Sequence, residues 1–489
     1  MTDYRAYDVI VIGGGPAGVT AALRARELGA RTAIIERGLL GGTCTNDGCV
    51  PTRVLAKAAR LYRDTELFEL YGLEAERPQV NFARLMERAQ QVVYQVQEKK
   101  QLIDHLQLVG AEVFENVGSA SFGSAHQIDL PDGRTLVGKN ILICAGGHAR
   151  KLPVPGGELA LTNSDIWRLN TLPRTIAIVG GSATGLQLAT IFQTFGAQVT
   201  IFEMAERLLP KDDDLISREI ERAFRGQGMQ VLTSAAAQAV EAAGDEYALV
   251  YMHQGVEQRG QFEIIVSAVG WPGNLEPLNL AAAGIETHGA YIAVNDYLQT
   301  SVENIYAAGD ITGKMMLVQT ASQQARCAID NMLMTSARRE YEELLVPYGG
   351  FTDPDYASVG LTEADAYARL GKENVVVVTV PFSEIDRAVI DGRAEGFCKM
   401  VVNRETREII GAHMIGEQAI ELVNVVAAGM VDGLKVDSLA GLDFAYPSFS
   451  SVIALAARQI SRELRLVPVI SRWHELGHMR LAEWESGTP

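Results

Sequence analysis

Tyr7-Asp8-Val9-Ile10-Val11-Ile12-Gly13-Gly14-Gly15-Pro16-Ala17-Gly18 stands near the start of this 489-residue chain and decides its fold. Tyr7 to Ile12 reads as a buried strand, followed by glycines and by a helical stretch reaching Leu28. Gly13, Gly15 and Gly18 fill the G-x-G-x-x-G positions. The first permits a tight turn, the second lets backbone approach a pyrophosphate, and the third allows close packing of helix on strand. The pyrophosphate then rests on the helix N-terminus. A second strand, Thr32-Ala33-Ile34-Ile35, ends in Glu36, placed to accept from ribose hydroxyls. One glycine loop is a weak sign. Strand, loop, helix, strand and acid in this order make a strong one.

The unit recurs 167 residues later. Thr175 to Val179 is again a strand, and Gly180-Gly181-Ser182-Ala183-Thr184-Gly185 follows. Gly196-Ala197-Gln198-Val199-Thr200-Ile201-Phe202-Glu203 then echoes Gly29-Ala30-Arg31-Thr32-Ala33-Ile34-Ile35-Glu36. The shared register predicts two dinucleotide-binding domains in one α/β chain. Between them lies Gly41-Gly42-Thr43-Cys44-Thr45-Asn46-Asp47-Gly48-Cys49-Val50-Pro51-Thr52. Pro51 suits a first helical turn, and Val54, Leu55, Ala58 and Leu61 continue with helical spacing. Cys49 therefore sits beside a helix N-terminus, where the dipole favours a thiolate. A thiolate beside a partner thiol is what disulfide exchange needs. The first domain is expected to hold FAD, because the cysteine pair follows it directly. The second is expected to hold a nicotinamide dinucleotide. Glu203 would repel a ribose 2′-phosphate, which favours NAD(H) over NADP(H).

With these motifs the chain resembles the pyridine nucleotide–disulfide oxidoreductases, which include dihydrolipoyl dehydrogenase, glutathione reductase and mercuric reductase. Cys144-Ala145-Gly146-Gly147 is similar to the family's turn after the first FAD segment. Ile305-Tyr306-Ala307-Ala308-Gly309-Asp310 looks like its second FAD motif, in which Asp310 would contact the ribityl chain. Phe351-Thr352-Asp353-Pro354 and Val359-Gly360-Leu361-Thr362 look like the start of its dimerisation domain. The resemblance implies an FAD-binding domain over 1–150 and 276–345, an NAD(P)H-binding domain over 151–275 and an α+β dimerisation domain over 346–465. A C-terminal extension, 466–489, follows. It also implies a homodimer in which Cys49 contacts the flavin and Cys44 faces the acceptor.

Six positions depart from the family pattern. Arg53 and Gln187 stand where many members pair a Lys with a Glu. Arg53 keeps a positive charge near the expected flavin N5, but Arg and Lys are not interchangeable. Ser182 replaces the second glycine of the nicotinamide loop, as mercuric reductases tolerate, and Ala183 follows where a gating aromatic is common. Tyr446-Pro447-Ser448-Phe449-Ser450-Ser451 matches the His-Pro-Thr-x-x-Glu of thiol-using members. A free Tyr has a pKa of ~10 against ~6.5 for His, so Tyr446 is a poor proton shuttle at neutral pH. Ser451 cannot act as a carboxylate orienter. Mercuric reductases also lack the His, but they use a terminal Cys-Cys pair, and here no cysteine follows Cys398.

The remaining features set bounds. A net charge of −17 disfavours nucleic acid and anionic membranes. No apolar run reaches the ~18 residues of a membrane span, and Val9–Ile12 is too short for a signal peptide. Five cysteines fit a reducing cytoplasm with one catalytic pair. Cys144, Cys327 and Cys398 read as packing residues. His474-Glu475-Leu476-Gly477-His478 matches H-E-x-x-H, but Gly477 weakens the helix and no third His follows, so no metal is expected. The reading is an FAD-dependent NAD(P)H oxidoreductase that passes electrons through Cys44–Cys49 to a small-molecule acceptor: a disulfide, a metal ion or a quinone. A dihydrolipoyl dehydrogenase with a substituted acid/base and a non-catalytic flavin-bound redox sensor are the alternatives.

Overall fold

The computed structural model describes residues 5–466, apart from 335, 337, 343 and 344. The first sheet is built from β1 (Arg5–Ile12), β2 (Thr32–Ile35), β3 (Glu112–Phe114), β4 (Ser121–Ser124), β5 (Gln127–Asp129) and β6 (Thr135–Ile143) in the order β3-β2-β1-β6-β5-β4. Ile305–Ala307 returns late in the chain to pair in parallel with β6. β1 lies at the centre, parallel to both β2 and β6. Its unbroken apolar run is explained by burial on both faces. Val9 and Val11 enter one core, Ile10 and Ile12 the other, as the period of two in a strand requires. Helix α1 (Pro16–Glu27) starts on Pro16 and buries Ala17, Ala21, Ala22 and Ala25. Their short side chains let the helix lie close to the sheet.

The second sheet is wholly parallel. Its order is Gln230–Leu232, Gln198–Phe202, Thr175–Val179, Ile264–Ser267, Leu161–Thr162. A three-stranded antiparallel sheet, Ala235–Ala243, Glu246–His253 and Val256–Phe262, joins it. The chain passes between the first and second sheets by two segments that touch at an antiparallel bridge, Gly147 to Gly273. The third sheet is antiparallel, in the order Tyr348–Gly350, Tyr356–Gly360, Ile409–Ile415, Phe397–Asn403, Val375–Pro381. The helices Ala419–Val431 and Ser451–Glu463 close its core.

Three helices leave the first sheet and carry the cysteines toward the second: α2 (Gly42–Asn46), α3 (Cys49–Arg63) and α4 (Phe82–Lys100). Leu55, Ala59, Phe82 and Met86 share one core with Leu186, Ala189 and Phe192 of the helix Ala183–Thr194. The cysteine segment is thus wedged between the two dinucleotide-type units. The sequence suggested a glycine turn running into a helix. The structure instead places Cys44 inside the short α2, because Gly41 and Gly42 both take positive φ (108° and 63°) and redirect the chain before it. The helical stretch around 80–110 divides at Gln101 (φ 44°) into α4 and Leu102–Leu108. Among the described residues, no helix is long and apolar enough to cross a membrane. His474 and His478 lie outside the described residues.

Candidate active site

The first glycine loop is shaped by contacts that forbid a side chain. Gly13 has φ +105°, and a Cβ there would lie 2.2 Å from the Cys144 carbonyl oxygen. A Cβ on Gly18 would lie 1.8 Å from the Gly13 carbonyl oxygen. Gly15 holds the N-cap of α1 and no side chain caps it, so the first N–H groups of the helix remain available. Glu36 is fixed by two backbone donors, Gly14 N at 2.7 Å and Gly38 N at 2.8 Å. A cleft opens beside this loop, lined by Gly13, Glu36, Arg37, Ser119, Asn274 and Pro277 among others.

Asp310 reaches the same place from the far end of the chain. Gly309 packs so that a Cβ on it would lie 3.3 Å from the Ala17 side chain, which sets Asp310 near the start of α1. The Trp271 indole N–H donates to Asp310 Oδ2 at 3.0 Å, and burial raises the carboxyl's pKa. Gly146 (φ +66°) turns the chain out of the first sheet, and its carbonyl accepts from Asn274 N at 3.0 Å. A tight glycine turn, uncapped helix donors, a fixed acid and a buried carboxylate form a cradle that fits FAD.

Cys44 and Cys49 are both thiols, and they hydrogen-bond to each other. The two thiols titrate as one unit. The hydrogen bond between them, with help from the Lys100 charge, pulls the first ionisation of the pair down to about 7. The second proton is held far more tightly, by that hydrogen bond, by burial and by the neighbouring thiolate. Asp310 opposes ionisation of both sulfurs, which ties the pair electrostatically to the FAD cradle. Lys100, at the end of α4, donates from Nζ to Thr45 Oγ1 at 2.7 Å, next to Cys44. Cys49 is the first residue of α3, and Arg53 lies one turn further along the same face. The Arg53 guanidinium stacks over the Phe351 ring, 4.6 Å from its centroid. Burial disfavours its charge most, and Arg60 adds repulsion. Its Nη1 is buried without a hydrogen-bond partner.

The second loop repeats the first. Gly180 has φ +114°, and a Cβ on Gly185 would lie 2.0 Å from the Gly180 carbonyl oxygen. Glu203 accepts from Gly181 N at 2.6 Å and Ala205 N at 2.7 Å. Ser182 takes the N-cap of Ala183–Thr194 without a side-chain capping bond. Gln187 does not pair with Arg53. Its Nε2 donates to Ala183 O at 2.9 Å, and its Oε1 accepts from Phe351 N at 3.1 Å. Tyr446 is exposed and donates its hydroxyl hydrogen to Asp386 Oδ2 within the third domain. Ser451 is buried at the start of the last described helix. Cys144, Cys327 and Cys398 are buried.

Residues 7–325 match the pyridine nucleotide-disulphide oxidoreductase family, and 346–457 match that family's dimerisation domain. The chain belongs to this family. It is therefore an FAD-dependent pyridine nucleotide–disulfide oxidoreductase, and its dimerisation domain supports a homodimer. It is 31% identical over 468 residues to the dihydrolipoyl dehydrogenase of Bacillus subtilis, covering 92% of this chain and 97% of that one. It is 31% identical over 461 residues to the mercuric reductase of Staphylococcus aureus, covering 94% and 83%. Its fold is similar to that of the HOCl-induced flavoprotein disulfide reductase RclA from Escherichia coli, with TM-score 0.81 and 26% identity, over 92% of this chain and 99% of that one. A Cu(II) complex of RclA aligns with TM-score 0.82 and 27% identity, over 93% and 100%.

Four residues of this oxidoreductase site carry no local sequence signal. Lys100, Trp271, Phe351 and Asp386 meet their partners only through the fold. Phe351 and Arg53 lie almost three hundred residues apart, and only a contact map could have paired them.

Proposed function

We propose that this oxidoreductase uses NADH to reduce its Cys44–Cys49 pair and passes the electrons to a small acceptor that needs no positioned imidazole. The observation that carries this reading is the hydrogen-bonded thiol pair at the N-terminus of α3, with its first ionisation near neutrality. FAD, when bound, supplies the two-electron carrier between the nicotinamide and the disulfide. Gly13, Gly15, Gly18, Glu36, Gly146 and Asp310 would hold it, within residues 1–150 and 276–345. Gly180, Ser182, Gly185, Gln187 and Glu203 would line the nicotinamide dinucleotide site within 151–275, and residues 346–465 would join two chains. Cys49 would face the flavin, and Cys44 would attack or ligate the acceptor.

NADH is favoured over NADPH by Glu203 and by what surrounds it. Arg207, the nearest cation in sequence, spends its donors on Ser217 Oγ, Pro210 O and Asp212 O. It has no arrangement aimed at a 2′-phosphate. Tyr446 gives its hydrogen to Asp386, so the phenol is a committed donor rather than a base. A soft metal ion or a quinone takes electrons without that proton transfer. The Cu(II) complex of the structurally similar RclA supports keeping metal ions in this class.

The test is steady-state turnover of NADH against lipoamide, oxidised glutathione, Cu(II) and a quinone near pH 7. The reading expects the last two to exceed the disulfide substrates. A kcat of ~10² s⁻¹ with lipoamide, or with dihydrolipoamide and NAD+ in the reverse direction, high in the enzyme range, would instead make the protein a dihydrolipoyl dehydrogenase.

A further inference from the structure

One short segment of the third domain grips the redox helix at three alternating positions. Asp353 pairs with Arg63 at 2.5 Å, Asp355 pairs with Arg60, and Phe351 stacks on Arg53. Arg60, Arg63 and Arg53 all belong to α3. Glu417, the next acid nearby, is also taken by Arg63, at 3.1 Å. Arg53 is thus the one arginine of the three without an ion pair, and its buried Nη1 has no acceptor. A guanidinium left in this state usually costs stability. An ion pair would have removed that cost and the charge with it.

We propose that Phe351 is the positioning residue of Arg53: the ring holds the guanidinium beside the redox pair without neutralising it, and leaves an Nη1 hydrogen for bound FAD. This rests on the reading that Arg53 faces the flavin. Gln187 completes the device, because its Oε1 fixes the Phe351 backbone at 3.1 Å instead of approaching the cation as a carboxylate. An aromatic face attracts a cation through its quadrupole but carries no net charge. A carboxylate would orient the cation equally well and cancel it. The uncancelled charge favours the electron-rich form of any redox group it faces. The third domain would thereby set both the place of Arg53 and the poise of the flavin.

The experiment is anaerobic dye-equilibration of the full-length, FAD-loaded protein, with FAD content measured in parallel. The variants are Arg53→Met, Phe351→Leu and Phe351→Tyr. Arg53→Met and Phe351→Leu are both expected to shift the two-electron equilibrium about tenfold toward oxidised flavin, which is about 30 mV. Phe351→Tyr keeps the ring and should stay within twofold of wild type. Replacing Phe351 by pentafluorophenylalanine preserves shape and reverses the quadrupole. It should reproduce the Phe351→Leu shift, and it replaces that variant if the leucine protein fails to fold. If Arg53→Met shifts the potential and neither loss of the ring nor its fluorination does, Phe351 is a packing residue and the proposal falls. If Arg53→Met itself leaves the potential unmoved, Arg53 does not act on the flavin and the underlying reading falls first.

Discussion

The two glycine loops are near copies in geometry and differ at one of the three fingerprint glycines. In each, the first glycine has positive φ and packs on the carbonyl that follows the adjoining strand: Cys144 O for Gly13 and Ala268 O for Gly180, at 2.2 and 2.3 Å from a built Cβ. In each, the acid ending the second strand accepts from the residue after that glycine, at 2.7 Å for Glu36 and 2.6 Å for Glu203. The middle position is Gly15 in one loop and Ser182 in the other. Both residues take extended backbone, with φ −75° and −101°, so neither conformation demands glycine. What differs is the neighbour. The turn leading to Cys44 presses on the first loop, and a Cβ on Gly42 would lie 2.7 Å from Gly15 Cα. Ser182 is exposed. The tight position is Gly42 of the redox segment: a Cβ on Gly15 itself would meet Gly42 Cα at 3.6 Å, an ordinary contact, so a small side chain fits at the middle position of either loop.

The comparison breaks most sharply at the third glycines. Gly18→Ala should lose nearly all bound FAD, because its Cβ meets a backbone oxygen at 1.8 Å and overpacking costs ~1–3 kcal/mol or more. Gly185→Ala, with the contact at 2.0 Å, should stay yellow and lose reduction by NADH. Flavin absorbance of the purified variants and NADH reduction rates separate the two outcomes. A colourless Gly185→Ala protein would show that the loops are not independent. Glu203→Ala should come next. Removing a charged acceptor for the ribose costs ~1.5–3 kcal/mol, or about 10- to 100-fold in kcat/KM for NADH, and should narrow the preference over NADPH. An unchanged NADH/NADPH ratio would remove Glu203 from the specificity argument.

The pH profile sharpens the difference between the halves, since only the first carries the thiol pair. The first ionisation of the Cys44–Cys49 pair lies at about 7, and a thiolate is the reactive form of a cysteine. Turnover should therefore fall about tenfold per pH unit below that value and level off above it. NADH binding, measured separately, should show no such step. A flat turnover profile between about pH 6 and 8 would contradict that first ionisation. The smallest effect belongs to the position that differs. Ser182→Gly should change the NADH KM by no more than about threefold, since the serine makes no capping bond. Gly42→Ala, on the crowded side, should weaken FAD retention by more than Ser182→Gly weakens NADH binding.

The strand–loop–helix units were legible because their signals are local. A continuous apolar run, spaced glycines and a strand-end acid all fall within some thirty residues, and the 167-residue echo doubles them. The family and its enzyme class could therefore be read without coordinates. The path of the cysteine segment was only half legible: Pro51 marks the first turn of α3, but the positive φ of Gly41 and Gly42, which creates α2, leaves no pattern. The surroundings of the departures were not legible at all. Gln187 bonds the Phe351 backbone, Arg53 stacks on that ring, and Tyr446 bonds Asp386, each across a gap the sequence does not encode. Sequence identified Gln187, Arg53 and Tyr446 as atypical. Only the fold supplies the partners that replace those the family pattern would provide.

Anaerobic titration of the oxidised, FAD-loaded protein with NADH is the decisive measurement. Uptake of two electrons should produce a long-wavelength thiolate–flavin charge-transfer band in wild type. If Cys49 is the sulfur that faces the flavin, Cys44→Ser should retain that band, and Cys49→Ser should lack it while still binding FAD. Both substitutions should lower acceptor turnover on the order of 10³-fold or more, as loss of a reacting group does. If wild type bleaches directly with no such band, and both serine variants turn over as wild type does, then Cys44 and Cys49 are structural and electrons leave the flavin without them.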